Sequence, residues 1–219
     1  MATVLEPAQQ VRTEERFVLR GVDWNVYEGI LRALGDHRTR VTFDGRNIEL
    51  MSPLSIHEFY IRMFDRLLAM LASEVRLPLR NGGSTTFRRE DVERGLEPDS
   101  CFWIQSELVI RGKRELDLTV DPVPDLAIEI EISRSALDRM AIYAKLGIPE
   151  VWCFDGESLR IHLLQPNGVY AESPTSRCLP QLPVREMVPF LQPDDEVDDT
   201  TRGRQFVEWA SPRFKQGAL

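Results

Sequence analysis

The stretch Pro124-Asp125-Leu126-Ala127-Ile128-Glu129-Ile130-Glu131-Ile132 decides how the rest of this chain is read. Side chains alternate across a strand, so Leu126, Ile128, Ile130 and Ile132 share one face while Asp125, Ala127, Glu129 and Glu131 share the other. Alternate residues lie about 6.7 Å apart, which lets Glu129 and Glu131 hold opposite sides of a hard cation satisfied by carboxylate oxygens and water. The plainer alternative is the solvated outer face of an antiparallel sheet. Directly after it, residues 133–146 have the period of a helix. Leu137, Met140, Ala141 and Ala144 form its apolar stripe, Ser135 and Asp138 are set as a capping box, and Gly147 and Pro149 stop it.

Downstream, residues 151–154 and 159–164 flank the turn Asp155-Gly156-Glu157-Ser158, and Asn167-Gly168 marks another, which together predict a β meander. Residues 173–203 are rich in Pro and acid, and residues 206–209 form a short amphipathic ending that docks back on the body. Upstream, Asp23 caps a helix carrying Val26, Ile30, Leu31 and Leu34 and ending at Gly35. Residues 39–43 and 48–50 around Asp44-Gly45 predict a hairpin. A long helix runs from Ser55 to about Val75, followed by strands near 84–88 and 99–104. Residues 1–21 lack a clear period and read as a loosely held N-terminal arm, with a domain over 22–172 and a C-terminal extension over 173–219.

The 219 residues carry 27 Lys and Arg against 35 Asp and Glu, a net charge of −8. This excludes a non-specific nucleic-acid coat, whose affinity rests on excess basic residues. Cys101, Cys153 and Cys178 are odd in number and widely spaced, which predicts reduced thiols. The longest strongly apolar stretch, residues 67–72, is far below the roughly 18 residues of a membrane span. Glu6, Glu14 and Glu15 stand where a secretory signal would need a basic region and an apolar core, so a cytoplasmic protein is expected.

A second acid, Asp99, stands at the head of a strand after Glu97-Pro98, where the proline fixes the chain. A metal needs carboxylates brought together from separate strands, and close acids raise each other's pKa unless a cation compensates them.

Glu97-Pro98-Asp99, the run from Pro124 to Ile130, Asp138-Arg139 and the run Tyr143-Ala144-Lys145-Leu146-Gly147-Ile148-Pro149-Glu150-Val151-Trp152 together resemble the Uma-type family of bacterial endonucleases. That family belongs to the PD-(D/E)xK, restriction-endonuclease-like superfamily, and the similarity covers roughly residues 20–165. The resemblance implies a mixed α/β (α+β) fold, a restriction-endonuclease-like central mixed β-sheet flanked by helices, opened here by the N-terminal helix and hairpin. It implies Asp99 and Glu129 as the metal-binding carboxylates, Mg²⁺ or Mn²⁺ as cofactor, DNA as substrate and a homodimer. The metal would polarise the scissile phosphate and activate water.

The chain departs from the superfamily pattern two residues after the second acid, where Glu131 replaces lysine. In relatives with this departure the basic residue moves to the next helix, and the matching position is Arg139. Arginine is always protonated, so Arg139 could clamp a phosphate but not act as base, which leaves that role to Glu131 or to metal-activated water. Tyr143, at i+4 from Arg139, could orient it, and Lys145 is the other basic candidate beside the site, ranked second because it lies about 600° of helix rotation after Arg139 and points away from it.

Glu58 on the polar face of the long helix is a further candidate beside the metal, as first-helix acids are in the superfamily. His57 reads first as a packed core histidine and second as a neighbour of the site, and Asp125 as a supporting acid. His37 and His162 have no ligand-like spacing. Residues 82–86 read as a turn leading into a strand, and Arg76, Arg80, Arg88, Arg89, Arg111, Lys113 and Arg114 would track a nucleic-acid backbone only if the fold gathers them.

The primary expectation is therefore a Mg²⁺-dependent DNA endonuclease with Asp99, Glu129 and Glu131 at the metal and Arg139 assisting. The alternative is a catalytically silent nuclease-fold module used in binding or assembly, favoured by the missing lysine and the negative charge. A glycosidase-like acid pair is weaker, since no aromatic sugar platform falls near the acids.

Overall fold

The computed structural model describes residues 14–35 and 39–215. Residues Glu15–Arg20 form β1, Trp24–Leu34 α1, Arg40–Phe43 β2, Asn47–Ser52 β3 and Ser55–Val75 α2. Short strands follow at Arg80–Asn81 (β4), Phe87–Arg89 (β5) and Arg94–Leu96 (β6), then Ser100–Trp103 (β7) and a single turn of helix at Glu107–Ile110 (α3). The chain continues through Leu126–Ile130 (β8), Arg139–Leu146 (α4), Glu150–Phe154 (β9), Leu159–Leu164 (β10), Tyr170–Ser173 (β11), a 3₁₀ segment at Val184–Phe190 and Asp199–Lys215 (α5).

The strands make two sheets. One is antiparallel, ordered β1-β3-β2-β6-β5. The other, ordered β11-β10-β9-β8-β7-β4, is mixed: β8 runs parallel to β9 and antiparallel to β7. The parallel pair needs a crossover, and α4 supplies it. Gly147 ends α4 in the left-handed region (φ 83°), donating its N–H to the Tyr143 carbonyl and turning the chain into β9.

Every residue of β8 is buried. Leu126, Ile128 and Ile130 enter one core with Phe64, Leu67 and Leu68 of α2, while Ala127 enters another with Ile142, Tyr143 and Leu146 of α4. The solvated-face alternative for the Glu129 side is therefore wrong, because α4 covers it. A third cluster, Tyr27, Val41, Phe43 and Ile48, joins α1 to the antiparallel sheet.

Three expected outlines change. Residues 15–20 are not a loose arm: β1 pairs along its whole length with β3. The C-terminal residues are not an appendage, since Leu179, Leu182, Met187, Leu191, Phe206 and Ala210 complete the core under α2. The expected helix over 133–146 begins only at Arg139, with Asp138 as its cap accepting from Ala141 N at 3.0 Å.

Glu150, fully buried on β9, ties this C-terminal segment to the sheet. Its carboxylate accepts from Trp152 Nε1 (2.6 Å), Arg177 N (2.8 Å) and Cys178 N (3.0 Å). Glu150→Ala strands three donors, two of them backbone, and each unsatisfied buried donor costs about 1–3 kcal/mol. We expect urea unfolding to show a loss of at least about 3 kcal/mol for Glu150→Ala and a smaller one for Glu150→Gln; a loss below about 1 kcal/mol would mean that water replaces the carboxylate.

Candidate functional site

Asp99 sits just ahead of β7, where Pro98 directs it inward, and is 2% exposed. Its Oδ2 accepts from the backbone N–H of Ile130 at 2.7 Å, so β8 locks its orientation. Oδ1 lies 3.0 Å from His57 Nε2 and 3.7 Å from Arg40 Nε. The histidine contact is an ion pair without the alignment of a hydrogen bond. On its other side, His57 Nδ1 meets Glu14 Oε1 in a short hydrogen bond, which makes a buried chain Glu14–His57–Asp99.

Burial pulls the His57 pKa down, but the two carboxylates outweigh it and push it up to about 9. Burial alone would raise Asp99 and Glu14. His57 holds both below the usual carboxylate range, helped at Asp99 by the charges of Arg40 and Arg139 and at Glu14 by Ser133 and Arg16.

Glu129 faces the opposite partner set. Arg139, the first residue of α4, grips it bidentately, with Nε 2.9 Å from Oε2 and Nη2 2.7 Å from Oε1, and the Tyr143 hydroxyl donates to Oε1. Burial raises the Glu129 pKa, the Asp99 charge adds to that, and Arg139 and Tyr143 offset only part, so it stands above the ordinary range. Arg139 also donates from Nη1 to Thr42 Oγ1 (2.6 Å) and from Nη2 to the Glu97 carbonyl (2.8 Å). Four of its five N–H groups are thus engaged inside the protein. Arg139 is a positioning residue for Glu129 and not the free phosphate clamp that the sequence suggested.

Residues 133–138 stay out of the helix because other elements take their polar groups. Ser133 Oγ bonds Arg16 Nε (2.9 Å) and Glu14. Glu49 of β3 accepts from Ser135 Oγ (2.9 Å) and Ala136 N (2.6 Å) while pairing with Arg16 (2.7 Å). The loop walls a cavity of about 370 Å³ whose lining includes Asp99, Glu129, Glu131, Arg134 and Arg139. A second cavity, of about 530 Å³, is lined by Arg40, Glu58, Arg62, Asp65, Glu97 and Asp99 among others, so Asp99 borders both.

Other expected site residues scatter. Glu131 reaches the first cavity, but its carboxylate is 41% exposed and pairs with Arg160 of β10 at 2.9 Å, so it does not join the buried acids as expected. Asp125 accepts from Ile104 N, Ser106 N and Ser106 Oγ, closing the loop after β7 away from the cluster. Lys145 is exposed and lines neither cavity. Glu58 lies in the second cavity, 3.7 Å from Arg40. Tyr143 and His57 both meet the acids.

Five of the seven scattered basic residues are engaged within the protein. Arg88, Arg89, Arg111 and Lys113 are paired with Glu28, Asp91, Glu107 and Asp121, and Arg80 donates to the carbonyls of Ile110 and Lys113. Residues 82–86 are the expected turn, closed by Thr85 Oγ1 on the Gly82 carbonyl. His162 lies on β10, and His37 falls outside the described residues.

Sequence reading missed Glu14, Arg16, Thr42, Arg40 and Glu49. Only Glu14 and Arg16 left a trace, an acid just ahead of what proves to be β1 and a base two positions on; apart from each other, their partners are 33 to 119 positions away. Among the described residues no group of three or more His, Cys, Asp and Glu is arranged to hold a metal ion. Asp99 and Glu129 are two buried carboxylates bordering one cavity, and Mg²⁺ is commonly held by one or two carboxylates, with water and substrate phosphate filling its other positions.

Fold and site together define a mixed α/β protein with a buried acid pair at the edge of a polar cavity. Residues 30–196 match the model of the Uma2 family, described as "Putative restriction endonuclease", and the chain belongs to that family. Among solved structures, "a putative nuclease belonging to DUF820" from Anabaena variabilis is similar over 78% of this chain and 90% of its own, at 15% identity and a TM-score of 0.43. No curated protein matches.

Two outcomes test the electrostatics. Arg139→Ala leaves Glu129 buried without its cation, so urea unfolding should show a loss of about 3–5 kcal/mol, most of it recovered when Glu129→Gln is added. Because the folded-state pKa of His57 is raised from 6.5 to about 9, its contribution is fully present below pH 6.5 and is lost as pH rises through 9. His57→Gln should flatten that fall; an unchanged slope would assign it to another group.

Proposed function

We propose that the protein is a DNA endonuclease that hydrolyses phosphodiester bonds with Mg²⁺ or Mn²⁺ held by Asp99 and Glu129. The observation that carries this reading is the pair itself: two carboxylates from neighbouring strands, buried against one polar cavity, with the Asp99 charge adding to the cost of ionising Glu129. A divalent cation there supplies positive charge against the scissile phosphate and lowers the pKa of attacking water.

The chain's own groups set the geometry. The Ile130 N–H and His57 orient Asp99, while Arg139 and Tyr143 orient Glu129. Glu129 Oε1 already accepts two hydrogen bonds, so Oε2, with one, is the oxygen left for a ligand. A homodimer belongs to this reading through the family resemblance, and sedimentation velocity reads it directly.

One observation favours a second reading, a catalytically silent binding module. Arg139, His57 and Arg40 already offset both acids, so the cluster is tolerable without a ligand. The two readings part on one experiment, in which supercoiled plasmid and single-stranded DNA are incubated with Mg²⁺ or Mn²⁺ and wild type or Asp99→Asn. Thermal unfolding is followed with and without metal. The nuclease reading expects cleavage that falls at least about 100-fold in Asp99→Asn, and a metal-dependent gain in stability that the variant loses. Absence of both from wild type would establish the silent module.

A further inference from the structure

Three arginines, Arg16, Arg134 and Arg139, line the cavity that Asp99 and Glu129 border. Two are spent. Arg139 is committed to Glu129, Thr42 and the Glu97 carbonyl, and Arg16 to Glu14, Glu49 and Ser133. Arg134 is exposed and makes no ion pair or hydrogen bond with any described residue.

Its backbone is nevertheless fixed. The preceding residue, Ser133, is bonded to Arg16 and Glu14, and the two that follow, Ser135 and Ala136, are bonded to Glu49. An exposed arginine without a partner among the described residues is thus carried on a pinned loop that lines the same cavity as two buried acids. Holding the backbone in advance reduces the entropy lost when such a side chain engages a ligand, and the planar fork suits phosphate oxygens.

We propose that Arg134 is the residue of this cavity that binds a phosphate of the nucleic-acid strand, the part that Arg139 was expected to play. The inference rests on the nuclease reading above and deepens it. It also accounts for how a chain of net charge −8 brings a polyanion to an acidic site: the needed cation stands at the cavity wall, separate from those that neutralise the acids.

The test is binding of a fluorescein-labelled 20-nucleotide DNA, single- and double-stranded, by anisotropy in EDTA over a range of KCl, alongside plasmid cleavage with Mg²⁺. Wild type is compared with Arg134→Glu, Arg134→Lys and Lys145→Glu. The last makes the same charge change on α4 at a residue that lines neither cavity. We expect Arg134→Glu to weaken binding about tenfold or more and to lower the slope of log K against log[salt] by about 1. Arg134→Lys should keep most of the slope, and Lys145→Glu should match wild type. Unfolding midpoints of wild type, Arg134→Glu and Arg134→Lys should agree, since Arg134 makes no bond with any described residue.

If wild type cleaves DNA and Arg134→Glu binds and cleaves as well as it does, or if Lys145→Glu loses as much, the assignment of Arg134 fails and the nuclease reading stands; if wild type binds without cleaving, the nuclease reading fails, and the assignment of Arg134 fails with it. If wild type neither binds nor cleaves, both fail together.

Discussion

Burying a carboxylate in the middle of β8 constrains everything around it. Glu129 is only 5% exposed, so little solvent reaches its charge, and an unpaired buried ion is too costly to keep. The chain therefore has to deliver a cation with matching geometry, and Arg139 does so bidentately. A cation at the first position of a helix opposes the helix dipole, so Glu129, and not any helical preference, holds Arg139 there. The remaining donors of Arg139 reach Thr42 and the carbonyl before Pro98. One guanidinium thus joins β8, β2 and the approach to β7, which bear the two acids and a wall of the antiparallel sheet.

Asp99 is held by an independent set. His57 from α2 and Glu14 just ahead of β1 converge on it from the other sheet's side, and Arg16 and Glu49 carry the connection on to the loop over residues 133–138. Each acid therefore has its own cation and its own anchor. The protein's charges suffice for folding, and a ligand in the cavity adds to a site that is already assembled. On the proposed reading the two arginines divide the work: neutralising the second acid falls to Arg139, and facing the substrate to Arg134.

Local elements were legible where one face was sorted by polarity or a special residue stood at an end. Helix α2, α1 with Asp23 and Gly35, the β2–β3 hairpin and β8 all carry such marks. Asp99 and Glu129 are paired through the family resemblance, since alternation by itself leaves the Glu129 face open to solvent. Strand β1 was not legible, because Phe17 and Leu19 remain exposed on it and its polar face is spent on a site that alternation does not describe. Residues 133–138 misled for a related reason: their helical period is real, but Glu14, Arg16 and Glu49 compete for their hydroxyls and a backbone N–H, and tertiary bonds win over a weak local preference.

The sequence by itself determined the strand that bears Glu129, the proline-led position of Asp99, the helix that follows and the family to which these motifs belong, because each depends on neighbours within a few residues. The tertiary structure alone decided which charge answers which. That Glu131 turns to Arg160, that Arg139 is consumed by Glu129, that Glu14 closes on His57 and that Arg134 is left free all depend on which strands lie side by side. Ion pairing is set by distances of a few ångströms between residues far apart in the chain, and no local pattern encodes them.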